Sequence, residues 1–421
     1  MSRLSSPSST PRRMRVLAVA ALSALTAMSV AAAPAAAVIG PEVGANVPQH
    51  NPADELQAEL DEMRQEVKEA KRNRSNDALQ KQLNGLVKKH KFPAALAAVR
   101  DSKGRTRYYT AGVGDLKTKA KVPVDGYVRI ASNTKTFTAA TVLQLVGEGK
   151  VKLDDPIETY LPKLIRGKAG DGRKITVRQL LQHTSGLPNY TRWIPNIFDA
   201  RDRYSTPQDL LRIAFKHKAS FAPGKGWEYS NTGYTVLGLL IEKVTGKPVS
   251  TAITERIIKR AGLRHTYWPG KKVKTVRDPH AKGYGSRKPG GKLLDITNLD
   301  PSWGGAAGQL IATPSDLNRF WAALMDGTLL KPAQLKAMKK TVKAPGMPAG
   351  WSYGLGLMKM PLSCGGVAWG HGGDIDGYET RGGITDDGRA AAIAVTALPS
   401  SDAGAMSVIK AADTALCAKK R

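Results

Sequence analysis

Strand-like runs at two distant places in the chain constrain its fold most. Residues 94–100 and 105–113 read as strands joined by the polar turn Asp101-Ser102-Lys103-Gly104. Residues 366–370, 377–385 and 390–398 read as strands again, followed by a closing helix over 403–417. Between the two groups the sequence is mostly helical and loop-like. Such a chain pairs its strands by laying both ends into one sheet that it leaves and re-enters, with the helical middle as an inserted lobe. A helix over 77–90 precedes the first strand, with Leu79, Leu83 and Leu86 on one face and Asn76 or Asp77 as its cap. The Gly- and Lys-rich stretch 270–292 reads as an exposed loop or a small hairpin.

The residues upstream have another character. Residues 1–37 read as a signal peptide, with Arg12, Arg13 and Arg15 before an apolar stretch 16–33 and a small-residue cleavage site at Ala35-Ala36-Ala37. A retained anchor is the alternative, disfavoured by the Ala/Ser/Thr content and by Pro34. The Arg12-Arg13 pair also suits twin-arginine export. Residues 38–75 divide into a Pro/Gly linker, 38–52, and a charged amphipathic helix over 53–72 with the stripe Leu56, Leu60, Met63 and Val67. That stripe is expected to pack on the main domain, 76–418. No further stretch reads as a membrane span, and a secreted chain, extracellular or associated with the cell wall, is the expected location.

Three short constellations lie along the core. Ser132-Asn133-Thr134-Lys135 opens an amphipathic stretch carrying Phe137, Val142, Leu143, Leu145 and Val146. A serine there also reads simply as a helix cap. Chemistry asks more of the same spacing: residues i and i+3 share a helix face, so the Lys135 amine can sit beside the Ser132 hydroxyl. A hydroxyl is a poor nucleophile until a neighbouring base takes its proton, and a lysine desolvated in a cleft has a pKa low enough to help. Tyr229-Ser230-Asn231 follows the Pro223-Gly224 turn and precedes a helical run over 236–244, which puts it on a loop where side chains reach a cleft. A buried tyrosine with a turn asparagine is the plainer alternative. Gly370-His371-Gly372-Gly373-Asp374 joins the C-terminal strand candidates. Its glycines permit close backbone approach of a ligand, and an extended edge can offer an N–H to a developing oxyanion. A lone histidine more often serves structure, but one flanked by Gly370, Gly372 and Gly373 is less easily explained by packing.

In this order, Ser-x-x-Lys, Tyr-Ser-Asn and His-x-Gly resemble the serine β-lactamase and penicillin-binding superfamily, most closely its soluble secreted D-alanyl-D-alanine carboxypeptidases and class C β-lactamases. The stretches 175–187 and 304–312 and the run Thr313-Pro314-Ser315-Asp316-Leu317 agree, so the resemblance covers about 77–417. It implies an α/β (α+β) fold, an antiparallel sheet flanked by helices plus a helical lobe, with the site between them. It implies Ser132 as nucleophile, Lys135 as its base or base partner, Tyr229 as the proton carrier to the leaving amine and then to water, and His371 where many relatives have the lysine of Lys-Thr-Gly. Asn231 would orient the substrate amide. The backbone N–H groups of Ser132 and of Asp374, next to Gly373, would hold the oxyanion, and Trp303 would line the cleft. A disulfide between Cys364 and Cys417 is implied too, two buried thiols being the alternative. No metal or organic cofactor is implied.

Two departures bear on the substrate. The nearest carboxypeptidase relatives have threonines directly after the motif histidine and two residues later; here those positions are Gly372 and Asp374. They also carry an arginine for the substrate's terminal carboxylate, and its position is Met358 here. Lys359 is the nearest cation in sequence, but on a strand it points to the opposite face. An acid at 374 opposes a carboxylate-ended substrate, whereas an amide, ester or D-amino-acid peptide without that charge fits the same machinery.

Sixty-four Lys and Arg residues against 35 Asp and Glu give a net charge of +29. The cations are scattered and no nucleic-acid fold signature accompanies them, so they read as a solvated basic surface, with an anionic cell-wall polymer as partner and no nucleic acid. Two cysteines cannot build a four-ligand zinc site. The expected protein is a monomeric secreted serine hydrolase that forms an acyl-enzyme at Ser132, a D-Ala-D-Ala carboxypeptidase-type peptidase on cell-wall peptides. A β-lactamase, esterase or D-amino-acid amidase on the same site is one alternative; a non-catalytic wall- or partner-binding protein of the same fold is the other. The acidic limb of the pH profile is expected to involve His371.

Overall fold

The computed structural model describes residues 57, 61, 77–194, 196–288 and 290–418. The signal peptide and linker expected over 1–52 lie outside those residues. So does the helix expected over 53–72, apart from Gln57 and Asp61, whose exposed side chains hydrogen-bond one turn apart at 2.9 Å.

Helix α1 (Ala78–Lys88) begins where the sequence places its cap: the Asp77 carboxylate accepts the Leu79 N–H at 3.0 Å. Its buried face is Leu79, Leu83 and Leu86, each contributing about 1.5–3 kcal/mol by leaving water. The hairpin β1 (Ala94–Arg100) and β2 (Thr106–Gly112) follows, then the short β3 (Val128–Arg129) and helix α2 (Thr134–Gly147). The inserted lobe includes α3 (Pro207–Phe215) and α4 (Asn231–Thr245), then β4 (Thr266–Tyr267) and the small hairpin β5 (Tyr284–Gly285) and β6 (Leu294–Asp295) that the 270–292 region suggested. Strand β7 (Ile311–Ala312) lies between β3 and β4, and α5 (Pro314–Met325) leads back. The chain then re-enters the main sheet with β8 (Val342–Lys343), β9 (Ser352–Tyr353), β10 (Met358–Pro361), β11 (Val367–Gly370), β12 (Gly373–Ile375), β13 (Tyr378–Thr385) and β14 (Ala390–Val395), and closes on α6 (Asp402–Leu416).

The sheet order is β2-β1-β14-β13-β11-β10-β9-β8, with β12 paired to β13 beside that path, and each pairing is antiparallel. The two ends of the core meet in the pair β1–β14, in register from Ala95 opposite Val395 to Arg100 opposite Ala390. Strand β14 is buried on both faces. Ala390, Ala392 and Ala394 pack with Phe320 and Trp321 of α5, and Ala391, Ile393 and Val395 with Leu83 of α1 and Val408 and Ala411 of α6. Alternation puts successive side chains on opposite faces, and alanine leaves room for a helix on each. The Cys364–Cys417 disulfide ties the loop after β10 to the end of α6, with Cα atoms 5.7 Å apart. Closing its loop removes about 4 kcal/mol of denatured-chain entropy in the simple model.

Helix α2 departs from its sequence reading. It is not half-solvated but buried on nearly every side from Thr134 to Leu143. Its threonines, which look like a polar face, hide their hydroxyls on carbonyls instead: Thr136 on Gly356 and Thr138 on Ala306, each at 2.7 Å, and Thr141 on Phe137 at 2.9 Å. Helix α4 also starts five residues before the expected 236, at Asn231, because the extended Ser230 ends the loop there.

Candidate active site

The turn before α2 is wound unusually tightly. Ala131 has φ 44°, a left-handed conformation that a residue with a side chain enters at a cost of about 1–3 kcal/mol. The next residue, Ser132, makes no side-chain cap to α2. Its Oγ lies 2.9 Å from the Lys135 Nζ, so the i, i+3 spacing brings a hydroxyl and an amine into hydrogen-bond contact rather than making a helix cap. Lys135 is fully buried, and its Nζ also reaches the Asn231 Oδ1 at 2.6 Å and the Ala307 carbonyl at 2.8 Å. Burial pulls the Lys135 pKa well below its ordinary value, with the Asp374 charge pulling the other way. A neutral amine has two N–H bonds and one lone pair. In that neutral form, donating to Asn231 and Ala307 would leave the lone pair free for the Ser132 hydroxyl, as a base needs.

Tyr229 sits against this pair from the loop before α4, its ring centroid 4.8 Å from the Lys135 Nζ. Burial pushes its phenol well above the usual pKa, and the Ser132 hydroxyl beside it offsets part of that rise. Burial thus favours the protonated phenol and the neutral amine. His183, an aromatic neighbour 4.4 Å from the Tyr229 ring, accepts the Ser230 N–H on Nδ1 and so fixes the loop that carries Tyr229.

His371 comes close to the other three, 6.2 Å ring to ring from Tyr229. Its two nitrogens are taken, however: Nε2 faces the Tyr353 hydroxyl at 2.9 Å and Nδ1 the Gly372 carbonyl at 2.5 Å. Burial above all lowers its pKa to about 3. The expectation that His371 sets an acidic limb near neutrality is therefore corrected. The ring stays neutral there and holds the Gly370–Gly373 backbone and Tyr353 in place. His371→Gln is expected to leave the acidic limb of kcat/KM where it was, because that limb is expected to follow Lys135, with activity rising as pH passes through the lowered lysine pKa. A pH–rate profile of the variant checks this. A limb displaced by a unit or more would return the titration to the imidazole.

Strand β12 closes the site from the sheet side. It joins β13 through a two-residue turn, Asp376-Gly377, with Ile375 opposite Tyr378 and Asp374 opposite Glu379. Hydrogen-bonded and non-hydrogen-bonded pairs alternate in such a ladder. With Ile375–Tyr378 closing the turn, the Asp374 N–H points away from β13, to the open edge on the Ser132 side. Gly373 is there because nothing larger fits: a Cβ would lie 2.2 Å from the Ile130 carbonyl and 2.8 Å from the Asn133 Nδ2. Asn133 in turn donates to Thr380 Oγ1 at 2.7 Å and to the Ile130 carbonyl at 2.8 Å, locking the Ser132 turn to β13. Ser132, Asn231, Trp303, Asp374 and Asp376 line one cavity of about 350 Å³.

Sequence reading missed Arg381. Its guanidinium lies 2.8 Å from Asp374 and 2.7 Å from Glu379. Burial opposes its charge, but the two carboxylates more than offset that and raise its pKa. Burial also lifts Glu379 to about 7. The signal was present, since Glu379 and Arg381 interrupt a strand candidate otherwise made of aromatic, glycine and β-branched residues. Lys359 does not take the place of the absent arginine. It pairs with Trp369 in the sheet, on the face opposite Met358 and Met360, and does not line the cavity that holds Ser132.

The family model described as Beta-lactamase matches residues 78–415. The chain belongs to the beta-lactamase family. Its relatives span penicillin-binding proteins and D-amino-acid amidases of the serine β-lactamase and transpeptidase superfamily. Penicillin-binding protein 4* of Bacillus subtilis is 30% identical over 209 residues, 49% of this chain and 45% of that protein; the chain thus spans about half the length of the curated relatives it matches. Among solved structures, a D-stereospecific amidohydrolase from Streptomyces sp. is 38% identical, with TM-score 0.73 over 80% of this chain and 98% of that one. The D-amino acid amidase from Ochrobactrum anthropi SV3 is 29% identical, with TM-score 0.72 over 80% and 97%. By family and by fold this chain thus stands among the serine β-lactamase and penicillin-binding-type proteins.

Proposed function

We propose that the protein hydrolyses the amide bond of D-amino-acid amides or short D-amino-acid peptides through an acyl-enzyme on Ser132. The observation that carries this reading is Asp374, whose carboxylate lines the cavity of Ser132 while Arg381 braces it from behind. A carboxylate there repels the free carboxylate of a D-Ala-ended peptide and attracts an ammonium. The likeness along nearly the whole length of a D-stereospecific amidohydrolase supports the same choice.

In this reading Lys135 takes the Ser132 proton, and the Ser132 Oγ–carbon bond forms as the carbonyl oxygen moves into the N–H groups of Ser132 and Asp374. The C–N bond then breaks, the amine leaving with a proton passed through Tyr229 and Lys135. Water, activated by the same pair, releases the D-amino acid and restores the serine hydroxyl. Asn231 keeps the Lys135 lone pair aimed throughout. With the export expected of residues 1–37, the substrate would be met outside the cell.

The test compares D-alanine and D-phenylalanine amides with N-acylated peptides ending in free D-Ala-D-Ala. Wild type is expected to favour the amides. Asp374→Asn is expected to lower kcat/KM for the free amines about 10- to 100-fold, through KM, the size of one charged hydrogen bond. Turnover confined to the acylated carboxylate-ended peptides sinks the proposal and leaves the carboxypeptidase reading, which the penicillin-binding relatives favour.

A further inference from the structure

The cavity of Ser132 does not stand alone. Ile194 and Trp303 in its wall also line a second pocket, of about 170 Å³, on the other side of that wall. This pocket is basic. Arg203, Arg212 and Lys216 line it, against one acid, Asp209. Asp209 is already committed: it accepts from the Thr206 N–H at 3.0 Å and the Thr206 hydroxyl at 2.7 Å at the start of α3, and it pairs with Arg212 at 2.9 Å. Among the described residues no ion pair joins Arg203 or Lys216 to an acid, and both are exposed. The partition itself is held in place, since the Tyr190 hydroxyl donates to the Trp303 carbonyl at 2.5 Å. It also carries an unused donor, the buried Trp303 Nε1, which has no acceptor.

The two pockets thus differ in the charges that line them: acids in one, with Asp374 paired to Arg381, and in the other two cations, Arg203 and Lys216, that no acid among the described residues pairs. Asp374 and Asp376 lie in the Ser132 cavity, and the unneutralised cations lie past Trp303. We propose that the pocket behind Trp303 is a subsite for a carboxylate at the far end of the substrate, so that the cleft takes a short dipolar peptide with its ammonium toward Asp374 and its carboxylate toward Arg203 and Lys216. The inference rests on the amide-hydrolase reading and deepens it. It also places the substrate's carboxylate where the arginine that is absent at Met358 does not need to hold it.

The experiment uses three D-alanyl ligands: D-Ala-D-Glu amide, its isostere D-Ala-D-Gln amide, and D-Ala-D-Gln with a free terminus, which separates a side-chain carboxylate from a terminal one. Affinity is read by calorimetry on the full chain carrying Ser132→Ala, and kcat/KM on wild type. One or both carboxylate ligands are expected to bind about 5- to 10-fold tighter than the neutral isostere at low salt, the effect of two partly exposed charges, and the gap closes as salt rises. Arg203→Gln with Lys216→Gln is expected to bring the ratio to about one, whereas Lys88→Gln with Lys89→Gln, equal in charge but at the C-terminal end of α1, keeps it. Equal affinity for all three ligands, no measurable binding of the carboxylates, or a ratio that survives the Arg203/Lys216 change overturns the subsite. A binding preference without any turnover counts instead against the hydrolase reading alone.

Discussion

Ser132→Ala is expected to remove at least about 10⁴-fold of kcat/KM, the order lost when a nucleophile that works as a unit with its base is deleted. No covalent adduct should then form with an ester, amide or lactam probe when intact mass is measured. The size follows from the geometry around one oxygen. Ser132 Oγ is the atom Lys135 faces at 2.9 Å, it sits beside the Tyr229 phenol, and the turn that presents it is held in a strained conformation at Ala131. The amine that faces it is fully buried. The variant is expected to fold as wild type, because Ser132 neither caps α2 nor fills the core, so a melting curve separates lost chemistry from lost structure. An adduct that persists in Ser132→Ala would move the nucleophile to another residue and remove the basis of the proposed mechanism.

The residues explain what could be read in advance. Local rules sufficed for α1, where Asp77 is a capping residue and three leucines at helical spacing bury one face, and for β1 and β14, whose strand character is continuous. The union of those strands in one sheet followed from their being the unpaired ends of one core. The meeting of Ser132 and Lys135 was legible because it spans less than one helical turn. The placing of Tyr229, Asn231 and His371 beside them was not legible from spacing at all; it came from the order of motifs. What escaped was the outcome of burial. Nothing local says that the α2 threonines hide their hydroxyls on Gly356 and Ala306, far off in sequence. Nothing local says that His371 spends both nitrogens on Tyr353 and Gly372 and loses its neutral pKa. Arg381 escaped for a related reason: a charged residue in a strand reads as solvent-facing, and only the register that sets Asp374 opposite Glu379 brings their carboxylates to its guanidinium.

Lys135→Arg is expected to cost about 10³- to 10⁴-fold in kcat/KM, near the upper end of general acid–base contributions, and to do so although the positive charge is kept. If Lys135 acted only as a fixed cation, arginine would retain much of the activity. A guanidinium does not lose its proton at any pH where the protein is folded, so it has no lone pair for Ser132. The loss should fall on the acylation step, seen as slow adduct formation with a labelled ester in single-turnover measurements. The rise of acylation with pH that wild type owes to its depressed lysine should be absent from what remains. Lys135→Met separates charge from basicity in the other direction. It removes the cation without placing an unpaired charge in the core, and it leaves the Asn231 Oδ1 and the Ala307 carbonyl without their donor. Arg and Met variants equally slow, both flat with pH, identify the amine as the base. An arginine variant within tenfold of wild type would mean that the serine proton leaves by another route, with Tyr229 the remaining group within reach.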